Sequence, residues 1–384
     1  MMPRPQSPRP QSPRPPSPRH VMFRSPALHQ LLLLSFALAL LHGAAAATAE
    51  NVTLQLFGTN NKFMPAAFAD FNSDKHTDVI AIVKDKNECS VKVLLAYIDP
   101  PLLRPDGPRC FCPGGNVISV VPGDFDGDGA LDLMMLSNTS SFFYDVYVAW
   151  GDLKNLTCPT EKMLTVYGQP LMLDYNGDMI ADLFGEDENK ARSFWLFNSK
   201  RTAPEAVPMT QPGNVALKPL RVPSSHGFID LDGDLAADLF VTADGQFEIW
   251  TNTEDGFILS DTIPIPSWVK VIGQTTFMDV SLDGHNDIVV VFCGLADCSD
   301  GKVYIYNNNK FLPLGFSLVD GNSMSWKYPT TEHQPYPYTD VISLRSADYD
   351  LDGYPDLLVT LLDSSDKPQV SLYTHIHAAK NVYS

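Results

Sequence analysis

Six nine-residue windows in this chain follow one template, Asp-x-[Asp/Asn/Ser]-x-Asp-x-x-x-Asp. They are Asp70–Asp78 (DFNSDKHTD), Asp124–Asp132 (DFDGDGALD), Asp174–Asp182 (DYNGDMIAD), Asp230–Asp238 (DLDGDLAAD), Asp279–Asp287 (DVSLDGHND) and Asp348–Asp356 (DYDLDGYPD). Their starts lie 54, 50, 56, 49 and 69 residues apart. Self-similarity at such a period marks a repeat array, and an array lets 384 residues form one domain where length alone suggests two or three.

The flanks of the windows repeat as well. An apolar residue commonly precedes the first Asp, and an apolar run follows the last, as in Val79–Val83, Leu133–Leu136, Leu239–Val241 and Ile288–Val291. These β-branched runs predict buried strands. Aromatic-rich strands leading to polar turns come next, as in Val146–Trp150, Phe194–Asn198, Phe247–Trp250 and Val303–Tyr306. No helical periodicity of useful length is present. Units of 49–69 residues holding several short strands predict an all-β chain of four-stranded propeller blades.

The windows have the chemistry of calcium loops. Calcium takes six to eight oxygens at ~2.3–2.6 Å, many of them carboxylate. Side chains at positions 1, 3, 5 and 9, with the carbonyl at position 7, can surround one ion. The predicted ligands are Asp70, Asn72, Asp74 and Asp78 in loop 1 and Asp124, Asp126, Asp128 and Asp132 in loop 2, where Ala130 supplies the carbonyl. Loop 3 offers Asp174, Asn176, Asp178 and Asp182; loop 4 offers Asp230, Asp232, Asp234 and Asp238. Loop 5 offers Asp279, Ser281, Asp283 and Asp287; loop 6 offers Asp348, Asp350, Asp352 and Asp356. Glycine at position 6 permits the sharp turn, a condition met by Gly129, Gly284 and Gly353; Lys75, Met179 and Leu235 stand there in the other loops. Loops 2 and 6 are the strongest by these criteria.

Charge supports several structural Ca2+ sites. Two carboxylates 4 Å apart repel by about 4 kcal/mol at an effective dielectric of 20. The chain carries a net charge of -18, and the windows hold 21 of its 45 acidic residues. The remainder after residue 49 is close to neutral, so the acidity is concentrated where a solubility role would not need it. Such a balance disfavours nucleic acid and anionic lipid as partners. The competing reading, Asp-Gly turns serving as plain hairpin loops, suits one window better than six. An EF-hand is excluded by the apolar or small residues at position 12 (Met135, Gly185, Val241) and by strands in place of helices.

Residues 1–49 read as a targeting segment: a Pro/Arg-rich stretch, an apolar run from Leu31 to Leu41, and small residues ending in Ala47-Thr48-Ala49. Either Met1 or Met22 can be the start. The propeller region is then 50–384, with no further apolar run of ~20 residues that would span a membrane. Three glycosylation sequons begin at Asn51, Asn138 and Asn155. Six cysteines suit a secretory protein. Cys293 and Cys298 bracket a short turn and are expected to pair. Cys110 and Cys112 are each expected to reach Cys89 or Cys158, in either order.

The windows and their strands resemble FG-GAP repeats, the calcium-loop blades of integrin α-subunit propellers. Val120-Val-Pro-Gly-Asp124, His226-Gly-Phe-Ile-Asp230, Phe247-Glu-Ile-Trp250 and Asp348–Asp356 resemble the T-cell immunomodulatory protein family more closely, over residues 51–362. The resemblance implies a FG-GAP β-propeller, seven-bladed in full-length relatives that are type I membrane glycoproteins, with a role in modulating T-cell function. After Asp356 there is room for part of a blade only (Leu357–Leu362, then Val370–Tyr373), so a truncated form or a ring of fewer blades is expected. The expected function is that of an extracellular module engaging a secreted or cell-surface protein. A soluble decoy of an anchored relative is the alternative. A propeller enzyme is the remote one, because no nucleophile or zinc-protease motif occurs and His226 and His285 read as loop residues.

Overall fold

The computed structural model describes most of residues 62–373, with Leu54 and Leu56 before them. Residues 86–87, 100–101, 212–214, 255, 297–301, 310–314, 319–325, 328–337 and 364–367, and the two ends of the chain, lie outside the described residues. So do the expected signal segment, the sequon at Asn51 and Cys298. The described residues of the main unit, Val52–Ser384, form an all-β structure.

Each window joins the first and second strands of an antiparallel unit, and its ninth residue opens the second strand. Repeat 1 pairs Lys62–Ala69, Asp78–Asp85 and Glu88–Ala96, with Leu103–Arg104 and Arg109–Phe111 both on the third strand. Repeat 2 runs Val117–Gly123, Asp132–Ser140, Phe143–Gly151 and Leu156–Thr157. Repeat 3 runs Leu164–Leu173, Asp182–Glu186, Arg192–Leu196 and Glu205–Pro208. Repeat 4 runs Gly227–Ile229, Asp238–Ala243, Gln246–Thr253 and Gly256–Pro264. Repeat 5 runs Val271–Met278, Asp287–Cys293, Lys302–Asn309 and Gly315–Leu318, with Trp326–Lys327 also on its third strand. Repeat 6 has Tyr338–Ala347, Asp356–Asp363 and Pro368–Tyr373. Repeats 2 and 3 merge into one sheet where Leu164–Tyr167 pair with Phe143–Val146.

Successive repeats stack face to face, which explains the unbroken apolar runs. Side chains alternate between the faces of a strand. On Asp132–Ser140, Leu133 and Met135 pack with Ile80, Val91 and Val93 of repeat 1. Met134 and Leu136 pack with Leu183 and Trp195 of repeat 3. The same division recurs at Leu239 against Phe240 and at Ile288 against Val289. The second strands of repeats 2 to 5 are therefore buried on both sides. This stacking of repeated antiparallel sheets is the architecture of a propeller.

Two disulfides staple the first two repeats: Cys89–Cys112 within repeat 1, and Cys110–Cys158 from repeat 1 to the segment after the last strand of repeat 2. This settles the order that the sequence left open. Cys293 is also disulfide-bonded. Closing the 48-residue span of the second bridge stabilises by about 4 kcal/mol on a chain-entropy account.

Candidate functional site

All six loops share one hydrogen-bonding frame. The N–H at position 6 donates to the carboxylate of position 1, from Lys75, Gly129, Met179, Leu235, Gly284 and Gly353, at 2.7–3.0 Å. The N–H at position 7 donates to the carboxylate of position 5 in every loop, at 2.8–2.9 Å. The N–H at position 2 donates to the carboxylate of position 9, at 2.8–3.0 Å. Short acidic side chains favour such turns because they bond to nearby backbone.

The backbone adopts the left-handed region at positions 4 and 6 throughout. Position 4 is Ser73, Gly127, Gly177, Gly233, Leu282 or Leu351, with φ between 57° and 81°. Position 6 has φ between 67° and 89°, and here Lys75, Met179 and Leu235 adopt what the glycines adopt freely. A side-chain-bearing residue in this conformation costs roughly 1–2 kcal/mol. The frame of carboxylate-to-backbone bonds outweighs that cost. Glycine at position 6 is a convenience in these loops rather than a requirement.

Position 9 behaves differently from the other three predicted ligand positions. Asp78, Asp132, Asp182, Asp238, Asp287 and Asp356 are all at most 1% exposed. In five loops the second carboxylate oxygen accepts an N–H from the end of the third strand: Ala96, Gly151, Phe197, Asn252 and Asn308, at 2.7–3.0 Å. This Asp ties the loop to two strands of its blade. Burial pushes its carboxyl up, to about 7 for Asp132 and about 6 for Asp182 and Asp287, although the backbone donors pull the other way. Neighbouring loop carboxylates push further in the same direction. The sequence ranked position 9 only as a ligand; its role as a strand latch was hidden because the partner N–H groups belong to residues of varied type.

Position 3 separates the loops into two sets. Oxygens bound to one calcium ion at ~2.3–2.6 Å lie no more than about 5 Å apart. Carboxylate oxygens of Asp124, Asp126 and Asp132 lie within 4.8 Å of one another, as do those of Asp230, Asp232 and Asp234, and of Asp348, Asp350 and Asp356. Loops 2, 4 and 6 thus bring three hard, anionic donors to the spacing that calcium requires, and the donor chemistry fits the ion. Loops 1 and 3 carry Asn at position 3. Asn72 Nδ2 donates to Asp74 Oδ2 at 3.0 Å, and Asn176 Nδ2 to Asp178 Oδ2 at 2.9 Å. In loop 5 the Ser281 hydroxyl lies 3.5 Å from Asp279 Oδ1. Among the described residues these three loops assemble no such triad.

A second charged cluster lies at the opposite end of repeats 3 and 4. Arg192 and Glu248 form a two-pronged ion pair, at 2.6 and 3.1 Å, with side chains 2% and 1% exposed. Arg192 also donates to the Lys218 carbonyl, and Trp250 Nε1 to Glu248 at 3.0 Å. His226 accepts the Thr242 N–H at 3.1 Å, and loss of solvent drives its imidazole down to about 3. Full pairing identifies the cluster as an inter-repeat clasp.

Both described sequon asparagines, Asn138 and Asn155, are exposed. Among the described residues, no helix is long and apolar enough to cross a membrane.

An FG-GAP-like repeat family matches residues 230–290 and 279–359. The human T-cell immunomodulatory protein is 32% identical over 358 residues, covering 89% of this chain and 57% of that protein. The mouse protein of the same name is 32% identical, covering 88% and 56%. Protein linkin of Caenorhabditis elegans is 25% identical, covering 76% and 50%. The chain spans a little over half the length of its mammalian relatives. Among solved structures, AofleA from Arthrobotrys oligospora superposes with a TM-score of 0.40 at 12% identity, covering 84% of this chain and 89% of that one. With its repeats, its loop frame and this similarity along nearly nine tenths of its length, the chain belongs to the T-cell immunomodulatory protein family of FG-GAP repeat proteins.

Proposed function

We propose that this chain is a calcium-stabilised extracellular module that engages another protein, and that it contributes in that way to modulation of T-cell function. The observation that carries the reading is the grouping of three carboxylates within 4.8 Å in loops 4 and 6. Such a group is costly to hold at neutral pH without a cation. A bound calcium ion would compensate the charge and stiffen the loops that connect the first two strands of those blades. In loop 4 the holders are Asp230, Asp232 and Asp234; in loop 6 they are Asp348, Asp350 and Asp356. Asp238, the latch of loop 4, is the remaining predicted ligand there.

Two further observations support an extracellular setting. The disulfides Cys89–Cys112 and Cys110–Cys158 belong to an oxidising compartment. The exposed sequons at Asn138 and Asn155 are accessible to glycosylation. The signal peptide read at residues 1–49 supplies the route.

The test uses the purified, secreted chain, fluorescently labelled and applied to T cells in calcium or in chelator. Saturable binding in calcium, abolished by chelator and by Asp232→Asn combined with Asp350→Asn, is the expected result. Binding equal in both buffers, or no saturable binding at all, would sink the proposal.

A further inference from the structure

Loop 2 is among the strongest calcium loops by sequence, with Asp at all four side-chain positions and Gly at position 6. It also holds a cation already. Arg201 Nε donates to Asp126 Oδ2 at 2.5 Å, and its Nη2 donates to Asp128 Oδ2 at 3.2 Å. The arginine comes from repeat 3, in the turn between Arg192–Leu196 and Glu205–Pro208. That turn is fixed independently of loop 2. The Arg201 N–H donates to the Asn198 carbonyl at 3.1 Å, and Lys200 N–H donates to Asn198 Oδ1 at 3.0 Å. Arg201 itself sits at φ 57°. Its guanidinium lies 5.4 Å from the ring of Trp150, the penultimate residue of the third strand of repeat 2.

The contacts consume the oxygens that an incoming ion would use. Asp126 Oδ1 accepts the Asp128 N–H at 3.0 Å, and Asp128 Oδ1 accepts the Ala130 N–H at 2.8 Å. Arg201 takes the other oxygen of each. Asp126 is only 3% exposed, so its charge is poorly screened by water and the guanidinium beside it is a strong partner. A divalent ion entering loop 2 has to displace Arg201 or lie against it, and the repulsion at a few ångströms is large compared with thermal energy. Loop 4 differs: among the described residues, no ion pair with a basic side chain within 4.0 Å reaches Asp230, Asp232 or Asp234.

We propose that Arg201 is the built-in cation of loop 2, clasping repeat 3 to repeat 2 in place of a metal ion, so that loop 2 is ordered without calcium while loop 4 depends on it. The contrast with loop 4 rests on the calcium reading above; the clasp itself does not.

The experiment compares the wild-type secreted chain with Arg201→Gln, which removes the charge, and Arg201→Lys, which keeps the charge but not the fork. Calcium binding is followed by titration calorimetry, and terbium is used as a luminescent probe excited through Trp150. In Arg201→Gln one additional binding event is expected, with loop 2 affinity for the ion rising roughly tenfold or more. Trp-sensitised terbium emission rises with it. Arg201→Lys is expected to lie between. In chelator, Arg201→Gln is expected to melt below wild type. Should Arg201→Gln fail to fold, Arg201→Lys carries both readouts. Ion stoichiometry and affinity unchanged in the variants would overturn the proposal. Should no variant bind calcium in any loop, the calcium reading fails, and the clasp is judged by the chelator melts alone: unaltered melting overturns it.

Discussion

Loops 1, 3 and 5 and loops 2, 4 and 6 have the same backbone and the same three carboxylate-to-backbone ties, yet only the even set gathers three carboxylates within 4.8 Å. The difference is one residue. At position 3 the odd loops place Asn72, Asn176 or Ser281, each with a donor aimed at a neighbouring carboxylate. The even loops place Asp126, Asp232 or Asp350. An amide at this point supplies within the loop the positive hydrogen-bonding end that a cation would otherwise supply from outside. Frame and carboxylate triad are therefore separable: the frame is made by positions 1, 5 and 9 with the backbone, and the triad is switched by position 3. Loop 2 adds a third solution, a cation from the neighbouring repeat.

The largest effects should ignore the odd–even division, because they strike the latch that both sets share. Asp182→Ala in loop 3 strands two backbone N–H groups and Asp238→Ala in loop 4 strands three, the third at a long 3.3 Å, at about 1–3 kcal/mol apiece. Chemical denaturation in chelator should show similar losses for the two. A loss confined to Asp238→Ala would mean that position 9 acts mainly through metal.

A medium effect should obey the division. With calcium near one hundred times its Kd, one occupied loop contributes about 2.7 kcal/mol. Asp232→Asn should remove that increment from loop 4, and Asn176→Asp should add a calcium-dependent one to loop 3 while destabilising the protein in chelator. Denaturation midpoints with and without calcium decide the matter; equal calcium increments in both variants would break the odd–even distinction.

The pH dependence in chelator follows from the raised carboxyls. Asp132, Asp182 and Asp287 hold their protons more tightly folded than unfolded, with native values of about 7, 6 and 6. Their contribution is greatest below about pH 4 and is lost as pH rises toward 6 or 7, at up to about 1.4 kcal/mol per pH unit for each. His226 works in the opposite sense: its native value of about 3 means stability is lost as pH falls from about 6.5. The difference between wild type and Asp182→Asn across pH 4–7 isolates one loop from the histidine. A difference that does not vary with pH would contradict the burial account.

The smallest effect concerns position 6. Leu235→Gly removes a left-handed strain of roughly 1–2 kcal/mol but restores glycine's unfolded-state freedom, at about 0.5–1 kcal/mol. The expected net gain is between about 0 and 1.5 kcal/mol. The same substitution logic run backwards, Gly353→Leu, should lose a comparable amount.

Much of this was legible in the sequence. The windows, the strands on either side and the all-β repeat architecture follow from spacing and from the doubly buried runs such as Ile288–Val291. The short reach of Cys110 and Cys112 left two disulfide orders, and only the pairing of Arg109–Phe111 with Glu88–Ala96 decided between them. Arg201 could not be read, because it lies 75 residues from Asp126 and nothing local marks it. The latch partners of position 9 were equally hidden: Ala96, Gly151, Phe197, Asn252 and Asn308 contribute only backbone.

The most direct test of the central claim is thermal unfolding of the purified chain at neutral pH, with calcium, with magnesium and with chelator. The loops of oxygen donors predict a melting temperature that rises with calcium and falls with chelator, with magnesium less effective because it demands a tighter octahedral site. A melting temperature that neither calcium nor chelator moves would contradict the calcium reading of loops 4 and 6.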